Sequence, residues 1–88
     1  MARVGIAIHR FREDAVAVGV DIASWCSLNG HECVSSAADL PVLSSAGAPG
    51  IRAVDDFGNV DVLVSIGGDG TMLRSVRSLG GRPVPVLG

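Results

Sequence analysis

The sequence predicts an α/β domain of Rossmann-like architecture, three layers thick with a mostly parallel sheet, and three observations carry that prediction. Short apolar runs alternate with stretches of helical spacing along the chain. The runs are nearly continuous, as in strands covered on both faces. A glycine-rich segment, GGDGT at residues 67–71, joins the strongest run to a helical stretch, and ligands in such sheets bind beyond the carboxyl ends of strands.

Residues 4–8 (VGIAI) read as the first strand. Residues 13–28 read as a helix, with Ala15, Val18, Ile22, Trp25 and Asn29 forming one stripe, Glu13 and Asp14 at the end that favours acid, and Asn29-Gly30 as the stop. Residues 31–35 (HECVS) suit a second strand. Residues 37–59, rich in Ser, Ala, Gly and Pro, read as loop with one short helical turn near residues 51–57; a loop so long is either functional or conceals an element. Residues 61–66 (DVLVSI) are the strongest strand. After the glycines, Met72, Leu73, Val76 and Leu79 share one side of a helix that ends at Gly80-Gly81, and residues 84–87 begin another strand, with Pro83 and Pro85 suited to its entry or to an edge.

Eighty-eight residues allow one small domain. With 48% apolar and 18% charged residues, no run long enough to span a bilayer and no signal-peptide pattern, the expectation is a soluble cytoplasmic protein. The net charge is −2 and the seven arginines are dispersed, which argues against a nucleic-acid surface. There is no lysine, so a Walker-type phosphate loop is excluded, and any phosphate chemistry falls to backbone N–H groups, arginines or a metal. Cys26 and Cys33 lack metal-site spacing and read as two buried, reduced thiols.

Three glycines around one carboxylate exceed what a turn requires. A helix beginning near Gly70-Thr71 would leave N–H groups free to hold an anion. Gly67 and Gly68 would let the main chain approach a phosphate, and Thr71 could cap the helix or donate its hydroxyl. Asp69 beside a phosphate is repulsive unless it carries a metal ion, accepts a hydrogen bond from a sugar hydroxyl, or removes that hydroxyl's proton. The plainer reading is that Asp69 caps the helix. Arg74, a helical turn further on, could reach the same ligand. Asp56-Phe57-Gly58 matches a kinase triplet by letters, but the chain lacks the lysine and the length of a protein kinase, so a turn is expected there. His9 and His31 read as surface or loop-edge histidines, with His9-Arg10 placed to border the cleft.

Residues 64–74 (VSIGGDGTMLR) resemble the GGDGT motif of the NAD kinases, a branch of the superfamily that also holds diacylglycerol-type lipid kinases. Met72-Leu73-Arg74 is similar to the continuation usual in NAD kinases, where lipid kinases tend to carry an Asn-Glu pair, and residues 84–88 (VPVLG) resemble the strand leading into the family's next loop. The resemblance implies phosphoryl transfer from ATP or polyphosphate to the 2′-hydroxyl of the adenosine ribose of NAD, giving NADP. It implies Asp69 as proton acceptor, Asp69 and Gly70 as NAD contacts, Arg74 at a ligand-contacting position, a magnesium ion to offset phosphate charge, and a homo-oligomer at full length. The family's β-rich second domain and its Asn-Glu or Asn-Asp motif would lie beyond Gly88. Residues 1–88 are therefore expected to be an amino-terminal nucleotide-binding piece with little activity alone. The rivals are a lipid kinase domain and a non-catalytic nucleotide-binding module.

Overall fold

In the computed structural model, which describes residues 1–77 and 79–88 and leaves the side chain of Asp69 outside the described part, eight elements follow one another. They are β1 (Arg3–Ile8), α1 (Glu13–Leu28), β2 (Glu32–Ser36), α2 (Leu40–Ser45), β3 (Arg52–Val54), β4 (Val62–Ile66), α3 (Asp69–Arg77) and β5 (Val86–Leu87). The strands form one five-stranded sheet in the order β3-β2-β1-β4-β5, with every pair parallel. The expected α/β architecture is what the chain adopts.

Alternation along the strands builds two cores. Val4, Ile6 and Ile8 of β1 point to one face, where they meet Ala23 and Cys26 of α1, Cys33 and Leu43. Ala7 points to the other face, with Val34, Phe57, Val60, Leu63 and Leu79. A sheet covered on both sides explains why its strands read as unbroken apolar runs. Cys26 and Cys33 are free and buried, as expected.

Helix α1 occupies the expected residues but turns a different face inward. Ala15, Gly19, Ala23 and Cys26 are buried, whereas Val18 and Trp25 are 45% and 55% exposed. Close approach of α1 to both a second helix and the sheet is the reason: a Cβ at Gly19 would lie 2.8 Å from Cδ2 of Leu43, in the helix after β2, and 3.3 Å from Cγ2 of Ile8 in β1. The small residues make that contact; of the expected stripe Ala15 is buried and Ile22 packs against the core, while Val18 and Trp25 are left outside, Trp25 stacked on His31 with ring centroids 5.2 Å apart. The helix stops as expected, with the His31 N–H bonded to the Cys26 carbonyl at 2.8 Å and Gly30 at φ +73.

Residues 37–59 are not a loop. They hold α2 and β3, and the proposed helical turn near residues 51–57 is instead strand at 52–54. At six and three residues, both elements are too short to show periodicity. The edge strand β3 is fixed by non-local partners, pairing with β2 and carrying Arg52 to Glu32, which also binds Arg3 of β1 at 2.8 Å. Asp56 accepts the Gly58 N–H at 2.8 Å and pairs with Arg82 at 3.0 Å, so the kinase-like triplet is a turn whose Phe57 fills the second core.

Helix α3 begins at Asp69, slightly before the expected Gly70-Thr71, and its inward face is again not the expected one. Thr71 and Ser75 are buried, while Leu73 and Val76 are 53% and 51% exposed; of the expected side, Leu79 does reach the second core, from beyond the last helical residue Arg77. Ser75 can face the sheet because its hydroxyl donates to the Thr71 carbonyl at 2.7 Å, which offsets the cost of burying it.

Candidate nucleotide site at the strand switch point

From β1 the chain runs outward to β2 and β3, then returns to β4 on the other flank of β1. The strand order reverses between β1 and β4, and the crevice at their carboxyl ends is where open α/β sheets take ligands. Both turns that the sequence marked emerge there: His9 to Arg12 after β1, and the glycine segment after β4. They are joined, because the His9 N–H bonds the Ile66 carbonyl at 2.9 Å and Nη1 of Arg12 bonds the Gly67 carbonyl at 3.3 Å.

The three glycines have different reasons to be glycine. Gly67 has φ +149, and a Cβ there would stand 2.7 Å from Cβ of His9 and 2.8 Å from Oγ1 of Thr71, so packing within the chain demands it. Around Gly68 and Gly70 a Cβ would meet nothing within 4 Å among the described residues. The Gly68 carbonyl accepts the Met72 N–H at 3.0 Å, which makes Gly68 the cap position and Asp69 the first helical residue. The plain capping role for Asp69 therefore falls to a residue without a side chain. Thr71 is buried beneath the turn, with its hydroxyl near Gly67.

A cavity of about 240 Å³ opens between the two turns, lined by His9, Arg10, Phe11, Gly70, Thr71 and Arg74. A second, of about 350 Å³, lies toward β2 and reaches Ser36, Asp39 and Ser75. Arg10 and Arg74 line both. The His9-Arg10 pair thus borders the cleft as its position after the first strand implied. Arg74 reaches the cavity, but its Nη2 donates to the Ile8 carbonyl at 2.6 Å. Arg12 pairs with Asp14 at 2.9 Å, and that guanidinium holds the Asp14 carboxyl below the usual carboxylate range.

Two residues here escaped the sequence: Arg12 as the tie to Gly67, and Asp39. Asp39 is only 1% exposed, and it accepts the Ile8 N–H at 3.2 Å and Nη1 of Arg10 at 3.3 Å. An acid just before Leu40-Pro41 is a helix-start signal that would have found α2, yet Asp39 makes no side-chain cap there. No local pattern announces its reach to β1.

The fold defines a doubly wound α/β domain with a crevice beside a glycine-bearing turn at the carboxyl edge of the sheet, the place where open sheets of this class take ligands. The chain belongs to the NAD kinase family: residues 4–88 match its ATP-NAD kinase N-terminal domain. It is 36% identical over 87 residues to NAD kinase 1 of Streptomyces coelicolor, covering 98% of this chain and 23% of that protein. It is 34% identical to NAD kinase 1 of Streptomyces avermitilis and 30% identical to the NAD kinase of Syntrophobacter fumaroxidans, covering 100% of this chain in each case. The chain spans 23% to 30% of the length of these relatives. No solved structure matches it.

Proposed function

We propose that this chain is the amino-terminal α/β domain of an NAD kinase, and that it supplies the acceptor-side wall of the active site. The contrast among the glycines carries the reading: Gly67 is required by its own neighbours, while Gly68 and Gly70 face open space where a side chain would obstruct only an incoming ligand. Gly68, Asp69, Gly70 and Thr71 would receive the adenosine ribose and nearby phosphate of NAD, with Arg74 beside them. A β-rich second domain in the remainder of the polypeptide would close the cleft, and this chain alone would turn over little.

In the reaction, the ribose 2′-hydroxyl attacks the terminal phosphoryl group of ATP or polyphosphate, the new O–P bond forms as the bond to the leaving phosphate breaks, and the hydroxyl proton passes to Asp69. An aspartate is a weak base for a ribose hydroxyl, so its contribution is to orient the nucleophile and accept the proton late in transfer. Among the described residues no three His, Cys, Asp or Glu side chains converge as a metal cage. We propose a magnesium ion as cofactor, for which Asp69 would be the candidate ligand on this chain and which would offset phosphate charge that a lysine-free site cannot. Among the described residues no helix is long and apolar enough to cross a membrane, and we propose a cytoplasmic, homo-oligomeric full-length enzyme.

The test offers the full-length enzyme ATP together with NAD and a lipid diol. Formation of NADP is expected. Phosphorylation of the lipid alone would assign the domain to the lipid kinases, and nucleotide binding without any transfer would make it a regulatory module.

A further inference from the structure

Asp39 stands at the cap position of α2 with φ −85 and ψ −24 but makes no side-chain cap. Its carboxylate is buried instead at the carboxyl end of β1, where Oδ2 accepts the Ile8 N–H at 3.2 Å and Oδ1 faces Nη1 of Arg10 at 3.3 Å. Nη2 of Arg74 lies 3.7 Å from Oδ2 and is also bonded to the Ile8 carbonyl. Three segments distant in sequence, namely the β1 turn, the α2 start and α3, meet on one acid that is 1% exposed.

The two guanidiniums it gathers are not themselves buried. Arg10 and Arg74 are 31% and 47% exposed, and both line the 240 Å³ and 350 Å³ cavities. Arg10 is held from a second side by Phe11, whose ring centroid is 5.5 Å from its guanidinium carbon. Asp39 is the one carboxylate among the described residues lining either cavity, and it lies beneath the arginines rather than in front of them. A buried acid that orients two half-exposed guanidiniums toward a cavity suits recognition of phosphate, for which arginine's planar fork is the best-matched side chain.

We infer that Arg10 and Arg74 form a clamp for a phosphate-bearing ligand, and that Asp39 is its positioning residue. The inference rests on the proposed kinase reading, since the chain of phosphates it would grip is that of the donor or of the dinucleotide. Charge alone predicts the opposite behaviour from positioning: removing a buried negative charge should strengthen anion binding, whereas losing the fixed geometry should weaken it.

The experiment measures inorganic tripolyphosphate and ATP binding to the full-length protein by calorimetry, with NADP formation followed in parallel, for the parent, Asp39→Asn, Arg10→Gln and the double variant. Asp39→Asn keeps the shape and an acceptor for the Ile8 N–H. The expected result is tripolyphosphate binding weakened about tenfold in each single variant, KM for ATP raised with kcat within about threefold, and a double variant little worse than either single one. Unchanged or tighter binding in Asp39→Asn overturns the positioning role, whatever its melting temperature. A parent that binds no tripolyphosphate overturns the clamp. A parent that binds it but makes no NADP overturns the kinase reading while the binding series still decides the clamp.

Discussion

Arg74 of α3 donates to the carbonyl of Ile8, the last residue of β1, at 2.6 Å and across 66 positions of sequence. The bond fastens the helix that follows β4 to the end of the neighbouring strand, so the glycine turn between them is held over the switch point. Turn, helix and strand end therefore behave as one framework, and substitutions within it should separate framework from chemistry.

Asp69→Asn in the full-length enzyme is expected to lower kcat about 10²- to 10⁴-fold, the usual contribution of a positioned proton acceptor, while nucleotide binding survives in part. Steady-state kinetics beside calorimetry would check this. Equal rates in variant and parent would reduce the carboxylate to a helix-end residue.

Gly67 and Gly68 should respond in opposite ways. Gly67→Ala meets Cβ of His9 at 2.7 Å with φ at +149, and is expected to destabilise the fold by about 1–3 kcal/mol in denaturant unfolding. Gly68→Ala has open space and is expected to stay within about 0.5 kcal/mol of the parent. Gly68→Val should fold yet raise KM for the nucleotide and lower kcat, and a loss of stability without a kinetic effect would make Gly68 a turn residue only.

Acid sensitivity is expected from the ties between strands. Arg3 first, then Arg52, hold the Glu32 carboxyl below the usual glutamate range. Because its folded pKa lies below the unfolded one, this contribution is complete above the usual range and is lost as pH falls through the depressed folded value. Unfolding midpoints followed from about pH 7 to about pH 3 should fall less steeply in Glu32→Gln than in the parent.

Both thiols should be silent in the folded protein. Burial, more than the neighbouring Cys26, pushes the Cys33 thiol up to about 12, which leaves roughly 10⁻⁴ of it as thiolate near pH 8. Burial raises Cys26 as well, and its hydrogen bond with Cys33 opposes that. A maleimide should label neither site until denaturant is added; rapid labelling of Cys33 in the native protein would contradict the packing of α1 on β2.

How far the site was legible follows from how local its signals are. The glycine turn, the acid within it and His9-Arg10 were visible because each is a short pattern next to a strand. The side chain of Asp69 lies outside the described residues, so its role rests on that pattern and on the kinetic test above. Asp39 was not legible, since nothing near residue 39 refers to Ile8 or Arg74.

Sequence by itself determined the order of the main strands and helices, the boundaries of α1, and the place where the glycine turn interrupts the chain, because backbone preference and burial period are written in neighbouring residues. Tertiary structure alone decided which face each helix buries. Small residues won that choice on α1 because Leu43 of α2 and Ile8 of β1 lie too close to Gly19 for a larger side chain there, and the short edge strand β3 is fixed by its pairing with β2. It also decided that one acid would lie beneath two arginines, since a buried charge takes its partners from whichever strands and helices the topology places beside it.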